Sequence, residues 1–246
     1  MEKVMLIAGC SNAAGYEIDG SEDSAYNRQN SFGNQLAAKM GYRPVNTGTG
    51  GSTNASIARG VIEWVTNNYN PDTMELFVLL AWTESARLEV PFHRPTWYND
   101  SNPGADWVSE SSFDYLRVNQ SWPGGNEDDQ KVIPYYQEFI VNNLTYMEIL
   151  SANAVLQMEY FLKMQKINYV MCNTMHMFTH NKYLDFYLDR IDTKNYLDMD
   201  NNDNSFYWKY RNAGYTNPKA RYWHHDIVPH TLYADELHKF IMERQC

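Results

Sequence analysis

Three strand patterns alternate with two helical stripes within the first 82 residues, and this alternation limits the chain to a small set of folds. Val4–Ala8 is a short apolar run ended by Gly9, and a strand that is apolar at every position must be covered on both faces. Ser31 opens a helix whose apolar residues Phe32, Leu36 and Met40 recur at helical spacing, and Gly41 closes it. Arg43–Asn46 is a second strand that feeds the glycine-rich turn Gly48–Asn54. Ile57, Val61, Trp64, Val65 and Tyr69 form the next helical stripe, capped by Thr53 or Asn54, and Glu75–Trp82 is a third apolar strand. This order predicts a parallel sheet covered by helices on both faces, a three-layer α/β/α fold of flavodoxin-like type.

Residues 90–130 break the rhythm with Pro91, Pro95, Pro103, Pro123 and the tryptophans Trp97, Trp107 and Trp122. They read as a long loop inserted in a single domain over 1–246, and loops of that length commonly serve binding. Apolar positions from Tyr135 to Ile167 then recur every three or four residues and predict one long helix. Asn168–Asn173 reads as a fourth strand, 180–220 as polar and irregular, and Leu232, Tyr233, Leu237, Phe240 and Ile241 as a C-terminal amphipathic helix.

The 20 Lys and Arg stand against 30 Asp and Glu, a net charge of -10 with no basic stripe, which argues against nucleic acid as a partner. The longest apolar run, Leu76–Trp82, is far too short to span a bilayer, and Val4–Ile7 is too short for a signal peptide. A cytoplasmic protein is therefore expected, so that the sequons at Asn54, Asn99, Asn119 and Asn143 carry no weight. Cys10, Cys172 and Cys246 have neither disulfide-framework nor zinc spacing.

Four segments carry chemistry. Ser11 follows the first strand, at the sheet edge where ligands bind, and is either a nucleophile or a turn residue between Gly9 and Gly15. The loop Asn46–Asn54, with glycines at 48, 50 and 51, presents backbone N–H groups to an anion or is simply a tight turn. It has no Gly-Lys-Ser/Thr ending and follows strand two, so it is neither a P-loop nor a dinucleotide fingerprint. Thr83 and Glu84 end strand three, where Arg87 and Glu89 suggest a structural ion pair. His224, His225, Asp226 and His230 precede the last helix, and their spacing suits proton transfer better than zinc. Asp198–Asp203 starts like a calcium loop, but Asp203 replaces the required glycine and Lys209 the bidentate glutamate. No cofactor and no metal is expected.

In order, these elements resemble the SGNH (GDSL-like) hydrolases, single-domain α/β/α esterases. Gly9-Cys10-Ser11 with Gly15 resembles their first block, with Cys10 in place of the usual aspartate; Asn46–Gly51 resembles the second. Thr83 stands where the family has an asparagine, and His224, Pro229-His230 and Ala234 reproduce the spacing of the last block. The resemblance implies Ser11 as nucleophile, His224 as base, and the N–H groups of Ser11 and Gly51 with Thr83 as the oxyanion hole. The family's acidic residue three positions before the base is Arg221 here, which leaves the third triad member to come from elsewhere. A rival alignment makes His230 the base with Asp226 as its carboxylate.

The expected function is hydrolysis of a small-molecule or glycan ester, with an acetylated carbohydrate preferred because 15% of residues are aromatic. Two other readings stay open. One is a weak or inactive SGNH-fold protein that binds glycan or serves in a virion, since the strand-three ending Trp-Thr followed by Arg and Glu is similar to phage-borne hydrolase-like proteins. The other is a flavodoxin-like nucleotide binder. Oligomeric state is not legible.

Overall fold

A computed structural model describes residues 1–92, 114–118, 134, 138 and 143–244. The sheet is built on β1 (Glu2–Gly9) and β3 (Met74–Trp82), parallel and in register from Glu2↔Met74 to Gly9↔Ala81. β2 (Arg43–Asn46) flanks β1, and β6 (Asn168–Asn173) flanks β3. A fifth strand, β7 (Tyr196–Leu197), adds to β6, so the order is β2-β1-β3-β6-β7 and all pairings are parallel. The chain reverses its direction of winding between β1 and β3, which opens a crevice at their C-terminal ends.

The uninterrupted apolar runs reflect two cores, one on each face. Val4, Leu6 and Ala8 of β1 pack with α4 (Asn54–Asn68) and the long helix α5 (Leu144–Met164). Met5 and Ile7 face the opposite way, towards α3 (Phe32–Met40) and the C-terminal α8 (Ile227–Met242). Local signals set the helix ends. Ser31 accepts the Asn34 N–H at the start of α3, Gly41 closes it in the left-handed region at φ 74°, and Thr53 with Ser56 forms a capping box on α4.

Three expectations need correction. The 180–220 stretch is not irregular throughout, since it carries α6 (Asp185–Leu188), β7 and α7 (Phe206–Asn212). Leu184, Leu188, Tyr196, Phe206 and Tyr210 are buried there, but each element is too short to reveal a period. The 90–130 insertion contains part of an antiparallel ribbon, β4 (Leu88–Phe92) with β5 (Asp114–Val118). Residues 93–113 and 119–133, with Trp97, Trp107 and Trp122, lie outside the described residues. Arg87 pairs with Glu84 at 2.8 Å rather than with Glu89, which takes Arg59 at 2.5 Å. The helix expected over 135–167 is described from Leu144 onward, capped by Asn143. None of the described helices is long and apolar enough to cross a membrane.

Candidate active site

Gly9 ends β1 where no side chain fits: a Cβ there would lie 2.5 Å from Ala13 Cβ and 2.7 Å from the Ala81 carbonyl. The chain can therefore fold against β3 into a one-turn helix α1 (Ser11–Ala14), which Gly15 closes at φ 80°. Cys10, where the resembling family has aspartate, sends its Sγ to Thr174 Oγ1 at 3.3 Å.

Two residues after Gly15 the backbone enters the left-handed region again, with Glu17 at φ 63°. That conformation is costly for a side-chain-bearing residue and turns the buried Glu17 carboxylate under the segment 217–224. Glu17 Oε1 accepts the Arg221 N–H at 2.7 Å, and Oε2 accepts the Tyr222 N–H at 2.9 Å. Its backbone carbonyl accepts Asn217 Nδ2 at 2.8 Å. The same Oε2 lies 2.6 Å from His224 Nδ1, and His224 Nε2 lies 2.8 Å from Ser11 Oγ. Hydroxyl, imidazole and carboxylate stand in line at hydrogen-bond distance. A carboxylate on Nδ1 requires the proton there, which leaves Nε2 to accept the serine proton.

Burial pushes the Glu17 carboxyl upward, but the His224 hydrogen bond and the Tyr222 and Arg221 N–H groups outweigh it and hold Glu17 below the usual carboxylate range. His224 is held below the ordinary histidine value because burial disfavours its charge more than Glu17 restores it. The imidazole is thus neutral at neutral pH.

The glycine-rich loop closes the other side. Asn46 ties it to α1 and α3 through Ala13 O at 3.0 Å and Asn34 Oδ1 at 2.9 Å, while Arg28 holds the Asn46 and Gly48 carbonyls. Tyr16 lies over Gly50, where a Cβ would come within 2.8 Å of its ring, and its hydroxyl takes the Gly50 N–H. The Tyr16 ring also meets the His224 ring edge-on at 6.1 Å. Gly51 adopts φ 71°. Thr83 is fully buried and its hydroxyl has no hydrogen-bond partner among the described residues, whereas its backbone is clamped by Asn54 through Thr83 N–H to Oδ1 at 2.9 Å and Nδ2 to Thr83 O at 3.1 Å.

Ser11 and His224 therefore meet at the C-terminal edge of the sheet, while Thr83 follows the end of β3 and Gly51 lies in the loop after β2. The rival pair does not assemble. His230 is buried between Phe32 and Phe206, and its Nδ1 accepts the Phe32 N–H at 3.2 Å; burial drives its basicity far down. Asp226 caps α8 by accepting the Val228 N–H. Arg221 contributes its backbone N–H, not its side chain, to the carboxylate. Sequence reasoning missed Glu17, Tyr16 and Asn54. Glu17 lies 207 residues from His224, so no local spacing reports the pairing; the only signal is an acidic residue in the nucleophile's own segment. Among the described residues, no three His, Cys, Asp or Glu side chains converge as metal ligands.

No protein-family model matches the chain, and no curated protein matches its sequence. Two solved structures resemble it distantly. An acetyl xylan esterase from the rumen bacterium Butyrivibrio proteoclasticus shares 12% identity at a TM-score of 0.43, over 99% of this chain and 64% of that one. A carbohydrate esterase, described as having divergent catalytic and non-catalytic binding functions at its active site, shares 11% at 0.41, over 98% and 65%. The chain thus spans slightly under two thirds of the length of each. Likeness this remote assigns no activity, and the functional reading rests on the site itself.

Proposed function

We propose that the protein is a serine ester hydrolase of SGNH type that removes an acyl group, such as acetyl, from a carbohydrate. The observation that carries this reading is the unbroken line from Ser11 Oγ through His224 to Glu17, at 2.8 and 2.6 Å. Ser11 Oγ attacks the ester carbonyl carbon while His224 Nε2 takes its proton. The imidazolium that forms is stabilised by Glu17, and the oxyanion is held by the N–H groups of Ser11 and Gly51 with the Thr83 hydroxyl. Collapse expels the alcohol, which receives the proton from His224, and leaves an acyl-serine. Water then attacks this ester with His224 again as base, releasing the acid and restoring the serine. The Thr83 hydroxyl is buried and has no hydrogen-bond partner among the described residues, so its donor is uncommitted in the resting protein. Tyr222 and Trp223, both exposed beside the base, supply aromatic faces suited to sugar rings.

The test is hydrolysis of a p-nitrophenyl ester panel and labelling by a fluorophosphonate. Wild type hydrolyses the acetate and is labelled at Ser11, while Ser11→Ala and His224→Ala lose turnover. An unlabelled wild type would move the protein to the inactive, glycan-binding reading, and unchanged turnover in Ser11→Ala would exclude Ser11 as nucleophile.

A further inference from the structure

On the segment that carries the base, Arg211, Tyr215, Arg221 and Trp223 help line a cavity of about 290 Å³, which His224 and His225 border. That volume lies near the lower end of small-ligand sites, roughly 300 to 1,000 Å³. Among the described residues no carboxylate lines it, although the chain has 30 acidic residues. Its cations are Arg211 and Arg221, and among the described residues neither guanidinium forms an ion pair; each instead lies over an aromatic ring, Arg211 at 5.3 Å from Trp223 and Arg221 at 5.0 Å from Tyr222. Arg28, Arg43, Arg59 and Arg87 are each matched to a carboxylate, whereas Arg190 and Arg244 lie over Phe186 and Phe240; what sets Arg211 and Arg221 apart is that they line the same cavity.

The third feature is Trp223. It holds the left-handed conformation at φ 75° while leaving 67% of its surface exposed. Strain of about 1–2 kcal/mol at a bulky residue, with no burial to offset it, points to a use for the outward indole. A flat aromatic face takes the apolar face of a pyranose, and a pair of guanidiniums takes a carboxylate through fork-shaped hydrogen bonds.

We propose that this cavity is a subsite for a sugar residue bearing a carboxylate, a hexuronate unit of the glycan whose ester is presented to Ser11. The placement beside the reacting ester rests on the hydrolase reading above; binding of the uronate does not. A neutral sugar would leave the two guanidiniums without a charged partner, and a small inorganic anion would leave the indole unused. The local cationic pair also opposes the repulsion that a net charge of -10 imposes on an acidic polymer.

The experiment is calorimetric titration of the full-length Ser11→Ala protein with trigalacturonate, a neutral galactose trisaccharide and sodium sulfate in turn. The expected result is saturable uronate binding that quenches tryptophan fluorescence, weakens with added salt, and falls about tenfold or more in Arg211→Met, the loss of one charge-assisted pair. Arg211→Lys, which keeps the charge without the fork, replaces Arg211→Met if the latter fails to melt cooperatively, and is expected to weaken binding too. Equal affinity for the neutral trisaccharide, displacement by sulfate at matched ionic strength, undiminished binding in the Arg211 variants, or no uronate binding would each overturn the proposal. Failure of uronate binding leaves the esterase reading intact, whereas an unlabelled Ser11 overturns the esterase reading and leaves the binding result standing.

Discussion

Replacing Glu17 by glutamine tests the site at the residue that sequence alone did not reveal. Three donors converge on this carboxylate: the Arg221 N–H on Oε1, the Tyr222 N–H on both oxygens, and His224 Nδ1 on Oε2. A glutamine has one acceptor oxygen and one NH₂ to place among them. With the NH₂ at the Oε1 position, it would face two backbone N–H groups, donor against donor in a buried site. With the NH₂ at the Oε2 position, the amide oxygen keeps the Arg221 N–H bond and the 3.1 Å bond from Tyr222, only the 2.9 Å contact of Tyr222 to Oε2 is lost, and the NH₂ donates to His224 Nδ1. The second orientation costs less, and it forces the imidazole proton onto Nε2, where it points at Ser11 Oγ and blocks proton abstraction. Reversing the tautomer in a serine triad costs on the order of 10⁴ in kcat, which is about 5.5 kcal/mol. Because each backbone N–H keeps one bond to the amide oxygen, the loss in folding stability should be only about 1–2 kcal/mol, a few degrees in Tm for a chain of this size. The assay pairs kcat/KM on p-nitrophenyl acetate with thermal melting by circular dichroism. A cooperatively folded Glu17→Gln protein that keeps more than about a tenth of wild-type kcat/KM would refute the tautomer argument.

Three further outcomes follow from the geometry. Thr83→Val removes a hydroxyl that has no partner in the resting site, so stability should hold or rise while kcat falls about 10²-fold; full activity in the variant would remove Thr83 from the oxyanion hole. The reactive form needs neutral His224, whose basicity burial lowers from 6.5, so the acid limb of kcat/KM should have its midpoint below that value and move further to acid in Glu17→Gln; a wild-type midpoint above neutrality contradicts the assignment. His230 stays neutral in the fold, so below about pH 6.5 the unfolded chain binds a proton that the native state refuses. Stability should therefore fall as pH drops, with this group contributing a slope approaching about 1.4 kcal/mol per pH unit. Urea unfolding of His230→Gln at two acidic pH values should show that slope reduced with ester hydrolysis retained, and an unchanged slope would count against a buried neutral His230.

By itself the sequence determined the layered plan. Runs such as Val4–Ala8 and Glu75–Trp82 can be satisfied only when both faces are covered, and capping signals at Ser31, Gly41 and Thr53 are local, so they survive reading without coordinates. Ser11 and the Gly48–Gly51 turn were legible for the same reason, as each sits at a strand end that its own neighbours define. Tertiary structure alone decided which carboxylate meets His224, because the partner comes from the opposite end of the chain and is aimed by a left-handed backbone at Glu17. It alone separated His224 from His230, since the two differ in which surface of α8 and its preceding segment they occupy and not in residue type. The same holds for Arg211 and Arg221, which among the described residues form no ion pair and lie over Trp223 and Tyr222. Charge is additive along a sequence, but ion pairing depends on which side chains the fold brings within reach, and here it leaves a cationic cavity in an acidic protein.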